Sequence, residues 1–391
     1  MRVASGLDLF VDGLYEAVKD KRIALLSHSA SITAKGEHAI FALRRLGLEL
    51  KRLFSPEHGL WGLAQDMESV EHCVDPVVGQ EVISLYGEEL ESLKPTDEVF
   101  EGLDVVIIDL QDVGARYYTY NYTAWFLARA ALQKSLEVYI LDRPNPLGGR
   151  LVEGNLVEDA YRSFVGEMPI PTRHGMTTGE LLGMWAHESG LWSKHLHIVR
   201  MKGWERGYYF DDCGLPWVAP SPNMPTLATA IIYPGMCLLE GTKLSEARGT
   251  TKPFEQFGAP WFKAHASLEA LESLCLPGVY FRPVSFRPMF QKQAMLTCTG
   301  LEMHVFDRDA FRPLLTGLAV IAVSYALHPQ DFAWRSEAYE FVTDRLAIDL
   351  LLGNDRVRMQ IQAQENPWKI VESMNAEAAD FARKRASFLL Y

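Results

Sequence analysis

Three runs in this chain are apolar and strand-like, and each stops in a knot of polar residues. Leu53-Phe54-Ser55 runs into Pro56-Glu57-His58-Gly59. Val105-Val106-Ile107-Ile108 leads through Asp109-Leu110 into Gln111-Asp112-Val113-Gly114-Ala115-Arg116. Val138-Tyr139-Ile140-Leu141 leads into Asp142-Arg143-Pro144-Asn145-Pro146. Stretches with helical spacing separate them, and strands alternating with helices imply βαβ units and a mostly parallel sheet. In such sheets ligands bind outside the carboxyl ends of the strands, so polar residues gathered there point to chemistry.

The remaining elements extend this pattern. Arg22–Ser27 reads as a first buried strand, followed by a helix over 36–46 with Ala39, Ile40, Ala42, Leu43 and Leu46 at helical spacing. Residues 81–86 read as a further strand stopping at Gly87, and a helix begins near Tyr118. Thr177 and Thr178 with Glu180 mark a helix start. Residues 203–260 are rich in Pro, Gly and Trp and read as a long irregular segment, which in a compact domain is usually functional. Strands are expected near 279–287 and 300–306, then a helix bearing Phe311, Leu314, Leu315, Leu318 and Ile321, and a final amphipathic helix over 376–391. At 391 residues two domains are the default expectation. The boundary falls near 240–265, giving an α/β domain over 1–250 with a mostly parallel sheet and a smaller α+β domain over 251–391.

A net charge of −12 opposes nucleic-acid phosphates and anionic membranes, leaving a small molecule as the expected partner of a monomer or homodimer. The opening residues carry no apolar leader core, and no stretch is long and apolar enough to span a bilayer. The five cysteines are odd in number and widely spaced, which suits reduced thiols, and the expected location is cytoplasmic.

Glu57 leads the acid–base candidates, because it sits in a tight turn after a strand, where a carboxyl in a partly apolar cleft can hold its proton near neutral pH. His58 and His174, each next to a glycine, suit either substrate hydrogen bonding or structural packing. Gln111, Asp112, Arg116, Tyr118 and Tyr120 form the densest polar and aromatic stretch; Arg116 suits a bidentate carboxylate contact or an ion pair with Asp112. Asp142 and Asn145 suit sugar hydroxyls or the locking of a rigid loop. The 240–251 segment brings Glu240, Glu246 and Arg248 together among glycines and hydroxyls, but without the phosphate-loop pattern. Dinucleotide and nucleophile-elbow motifs are absent, as are H-x-x-x-H and H-E-x-x-H spacings, so no cofactor and no metal are expected. Carboxylate, Arg, Tyr and Asn chemistry remains, the usual equipment for sugars.

These residues fall in a string of longer motifs. Among them are Phe54–Gly59, Ser84-Leu85-Tyr86-Gly87, Asp109–Tyr120, Leu141–Pro146, Arg173–Thr177, Pro220–Thr226 with Asn223, Tyr233-Pro234-Gly235, Glu240-Gly241-Thr242, Arg248–Glu255 and Gly258–Trp261. In them the chain resembles the DUF1343 family, the NamZ-like exo-β-N-acetylmuramidases of glycoside hydrolase family 171. The resemblance implies a Rossmann-like catalytic domain, a smaller C-terminal domain and an active-site cleft between them. It implies release of N-acetylmuramic acid from the non-reducing end of peptidoglycan fragments, with the family's catalytic glutamate at Glu57 and an active-site tyrosine at Tyr86 or Tyr118. Two departures stand out. Ser27-His28-Ser29-Ala30-Ser31 replaces an Asn-containing turn, and Ser245-Glu246-Ala247-Arg248 carries Ala where relatives have Gly.

On this reading Glu57 protonates the leaving oxygen, and the second group is Asp112, Glu246, Glu240 or the substrate's own acetamido group. Arg116 or Arg248 is the expected partner of the lactyl carboxylate. Two other function classes stay open at this point: a metal-dependent amidase or deacetylase using Glu57, His58, His174 and Asp112, and a non-catalytic muropeptide-binding protein.

Overall fold

The structure, a computed structural model, describes residues 2–391. Among the described residues ten strands occur in chain order: β1 (Arg22–Ser27), β2 (Glu49–Ser55), β3 (Cys73–Asp75), β4 (Gln80–Ser84), β5 (Val105–Asp109), β6 (Glu137–Leu141), β7 (Leu196–Val199), β8 (Gln256–Ala259), β9 (Val279–Phe286) and β10 (Cys298–Val305). The helices are α1 (Gly6–Val11), α2 (Ala39–Arg45), α3 (Tyr120–Gln133), α4 (Thr178–Glu188), α5 (Leu227–Met236), α6 (Ala264–Ser273), α7 (Pro313–Leu327), α8 (Ala347–Leu352), α9 (Arg356–Gln362) and α10 (Pro367–Arg385).

The first seven strands form one sheet in the order β3-β4-β2-β1-β5-β6-β7, parallel except for the antiparallel edge strand β3. Its central strands β1 and β5 carry continuous apolar runs, Ile23–Leu26 and Val105–Ile108, because both faces are covered. Ile23 and Leu25 of β1 pack with Phe10, Ile40 and Leu43 from α1 and α2, while Ala24 and Leu26 face the other way, into the cluster that holds Trp125 of α3 and Trp185 of α4. The chain leaves β1 for β2 on one side and later returns to β5 on the other, so the order reverses at β1/β5. The crevice at such a switch point is where this architecture places ligands. The C-terminal part adds a three-stranded antiparallel sheet, β8-β10-β9, with α7 buried along most of its length. The expected α/β sheet followed by a smaller α+β unit is the architecture found.

Several elements differ from the sequence reading. The 203–260 segment contains α5, which Pro234 near its C-terminal end disguised. The α5 backbone lies directly on α7, because Gly235 and Gly317 are each seated against the other helix's main chain, where a Cβ would collide. Phe311 precedes α7, which starts at Pro313, the favoured first-turn position for proline. The last helix runs from Pro367 to Arg385, not over 376–391; Asn366 caps it by accepting from Trp368 N at 2.9 Å. Beyond it the Tyr391 hydroxyl returns to the sheet, accepting from Met201 N and donating to Asp142 Oδ2, each at 2.8 Å.

Candidate active site

The turn after β2 and the loop after β5 form one wall of a narrow, partly open cavity. The opposite wall comes from residues 240–254 and from Tyr339 and Glu340, ahead of α8. Glu57, His58, Tyr118, Asn223, Glu240 and Arg248 of the expected site residues line it, together with Asp66, Thr119, Tyr233 and Glu340.

Glu57 is almost fully buried. Its turn carries two successive left-handed residues, His58 at φ 69° and Gly59 at φ 77°. A non-glycine residue there is strained, and such strain persists where surrounding contacts enforce it. Here the His58 ring is fixed by Nδ1, 2.9 Å from the Ala64 carbonyl. Glu57 Oε2 accepts from Thr119 Oγ1 at 2.6 Å, whereas Oε1 has only a 3.5 Å contact with Met67 N. Oε1 is therefore the freer oxygen.

Tyr86, after β4, donates its hydroxyl to Glu340 Oε2 at 3.2 Å, its ring held between Phe164 and Phe341. Burial first, and then the charges of Glu57 and Glu240, push Glu340 well above the usual carboxylate range. Glu340 thus keeps its proton where an exposed glutamate would have lost it. Sequence reasoning missed it. Its segment has no periodicity, and Glu340 and Phe341 are both left-handed, at φ 46° and 67°.

The second wall is an ion cluster. Arg248 bonds Glu240 at 2.7 Å and Glu246 at 3.0 Å, approaches Asp66 at 3.4 Å, and covers the Phe254 ring at 4.7 Å. Burial works against its charge, but these three carboxylates hold its proton well above the ordinary guanidinium range. Tyr339 donates to Glu240 at 2.7 Å, and Lys292 reaches Glu246 at 2.5 Å. Ala247, in the place of the family's glycine, sits at φ 61°, so the turn keeps a left-handed geometry without glycine.

Eight expected residues do not line the cavity: Tyr86 and Glu246 stand behind its walls, and the other six are locked into structure. Arg116 is spent on three main-chain carbonyls, of Asn155 at 2.5 Å, Ile170 at 3.0 Å and Leu351 at 2.7 Å, and makes no ion pair with Asp112. Gln111 donates to the carbonyls of Asp112 and Pro144. Asp112 accepts from Gly114 N at 2.7 Å and faces His174 Nε2 at 3.4 Å; His174 Nδ1 accepts from Met176 N, and its ring is fully buried. Asn145 ties Leu147 N to the Met176 carbonyl. Asp142 accepts from Thr177, Gly179 and Tyr391, and burial pushes it up to about 6. Arg248, triply neutralised, is a poor receptor for a substrate carboxylate. Among the described residues no three His, Cys, Asp or Glu side chains group as a metal site requires.

Two family profiles cover the chain: exo-β-N-acetylmuramidase NamZ, N-terminal, over residues 23–228, and its C-terminal counterpart over 231–391. The peptidoglycan β-N-acetylmuramidase NamZ of Bacillus subtilis (strain 168) is 40% identical over 391 residues, which is 100% of this chain and 92% of that protein. Two crystal structures of DUF1343 family proteins from Bacteroides fragilis NCTC 9343 share the fold. One has a TM-score of 0.87 at 32% identity, the other 0.79 at 27%, and each match covers 100% of this chain and 99% of the other.

Proposed function

The chain belongs to the NamZ family of exo-β-N-acetylmuramidases, and from that premise we propose that it releases N-acetylmuramic acid from the non-reducing end of peptidoglycan fragments, with Glu57 as general acid. One observation carries the assignment of the chemistry: Glu57 and Glu340 line the same buried, tyrosine-rich cavity. Burial, with the charges of Glu57 and Glu240, raises Glu340 well above the usual carboxylate range, so a proton is held inside this cavity. Glu57 Oε1, the freer oxygen, delivers it to the glycosidic oxygen of the leaving sugar. Glu340, held by Tyr86, is the seat from which the pair is supplied. After transfer the pair's added negative charge stabilises the positive charge growing at the anomeric carbon. Tyr118 and Asn223 line the same space and supply hydrogen-bonding groups for the sugar.

A metal-dependent amidase would need His58, His174 and Asp112 to converge with Glu57, and the last two of those three lie outside the cavity. The substrate we assign is a muropeptide or MurNAc-β-1,4-GlcNAc disaccharide. The compartment we assign is the cytoplasm, which suits five unpaired thiols, two of them exposed. No helix among the described residues is long and apolar enough to cross a membrane.

The test is hydrolysis of a chromogenic β-N-acetylmuramide beside the matching β-N-acetylglucosaminide. The muramide should be the substrate, and Glu57→Gln should lower turnover by about 10²–10⁴-fold with the fold intact. Near wild-type turnover in that variant overturns the role of Glu57, and no cleavage of either sugar by the parent overturns the glycosidase reading.

A further inference from the structure

We infer that Arg335 is the receptor for the substrate's carboxylate, the lactyl group that distinguishes N-acetylmuramic acid from N-acetylglucosamine. The inference rests on the glycosidase reading above and deepens it. An acidic sugar must enter a cavity walled by Glu57, Glu340, Glu240 and Asp66. Carboxylates at that density repel an anion unless a cation beside them is uncommitted.

A groove continues from the cavity mouth, sharing Asp66, Glu240 and Arg248 with it. Four cations line the groove, and three are committed. Arg248 serves Asp66, Glu240 and Glu246. Lys292 bonds Glu246 and the Leu239 carbonyl, the latter at 2.7 Å. Lys243 pairs with Glu337. Arg335 alone of the four makes no ion pair among the described residues. Its Nη2 makes only long contacts, 3.4 Å to the Ala338 carbonyl and 3.4 Å to Met67 Sδ.

The placement suits the role. Met67 touches both groups, its main-chain N 3.5 Å from Glu57 Oε1 and its sulfur against Arg335. The guanidinium lies over the Tyr339 ring, its carbon 5.0 Å from the centroid. The Arg335 main chain is tied to the second wall through Arg335 N and the Gly241 carbonyl at 2.9 Å. A planar guanidinium with unfilled donors is the group that takes a carboxylate bidentately.

The experiment compares a nitrophenyl β-N-acetylmuramide with the methyl ester of its lactyl group, in the full-length parent, Arg335→Gln and Arg335→Lys. In the parent, esterification should raise KM by about 10–100-fold with a smaller change in kcat. Arg335→Gln should show a raised KM for the free acid and near-indifference to esterification, and Arg335→Lys should restore part of the discrimination. A parent enzyme that handles acid and ester alike overturns the inference even if Arg335→Gln fails to fold. So does a folded Arg335→Gln that discriminates as the parent does. Failure of the parent to cleave any muramide would instead strike the underlying glycosidase reading.

Discussion

Glu340→Gln separates what the buried carboxyl does for turnover from what it does to stability. Burial, with the charges of Glu57 and Glu240, raises the Glu340 pKa in the folded protein. The native chain therefore binds a proton that the unfolded chain has already released at the same pH. Stability then falls as pH rises from the ordinary glutamate value toward the folded one, and is fully present only below the ordinary value. A displacement of one pKa unit is worth about 1.4 kcal/mol, and this one is large. The Gln amide is the neutral isostere: its oxygen accepts from Tyr86 as the acid does, and it has no charge to desolvate. The variant should match the parent near pH 4 and exceed it in stability, and so in Tm, at pH 8. Turnover should fall by about 10²–10⁴-fold, and the alkaline limb of the pH–rate profile should move or vanish. Thermal unfolding at the two pH values, alongside a kcat/KM profile on the muramide, reads both effects. A variant that is no more stable at pH 8 than the parent refutes the raised pKa. One that turns over within about threefold of the parent refutes the role in the pair.

Two further predictions concern residues that the sequence flagged for function. Arg116→Met should destabilise by about 3–5 kcal/mol, because three buried carbonyls lose their donor, while KM of the folded variant stays put; a raised KM with stability intact would return Arg116 to the substrate site. Ala247→Gly should raise stability by about 1 kcal/mol by relieving a left-handed alanine, read as a rise in Tm; a fall would mean that the packing of its buried methyl group outweighs the backbone strain.

Arg116 and Glu340 mark the two ways in which a site differs from its sequence signature. The strands β1, β5 and β6 were legible because a strand covered on both faces has a continuous apolar run, β2 by its apolar end Leu53-Phe54, and each helix between them repeats every three or four residues. Glu57 was legible for the same reason, standing at the end of such a strand in a glycine turn. The polar knots after β5 and β6 looked equally chemical, yet the carboxyl ends of a sheet must also be fastened to the loops and helices packed over them. Asp142 shows this. Its carboxyl holds the first turn of α4 and the C-terminal Tyr391, while its carbonyl accepts from Gly6 N at 2.7 Å. Buried polar groups that tie loops and buried polar groups that bind ligands have the same composition, and only their partners distinguish them. Glu340 fails in the opposite sense. It lies in an aperiodic turn 254 residues from the tyrosine that holds it, and nothing local announces it. Its chemistry exists only because the C-terminal part folds back over the carboxyl ends of the parallel sheet. The Rossmann-like sheet thus carries Glu57, and the chain beyond it supplies Glu340 and Arg335, the other members of the proposed site. A change that loosened the packing of α5 on α7 would therefore reach the chemistry without touching any residue of the cavity.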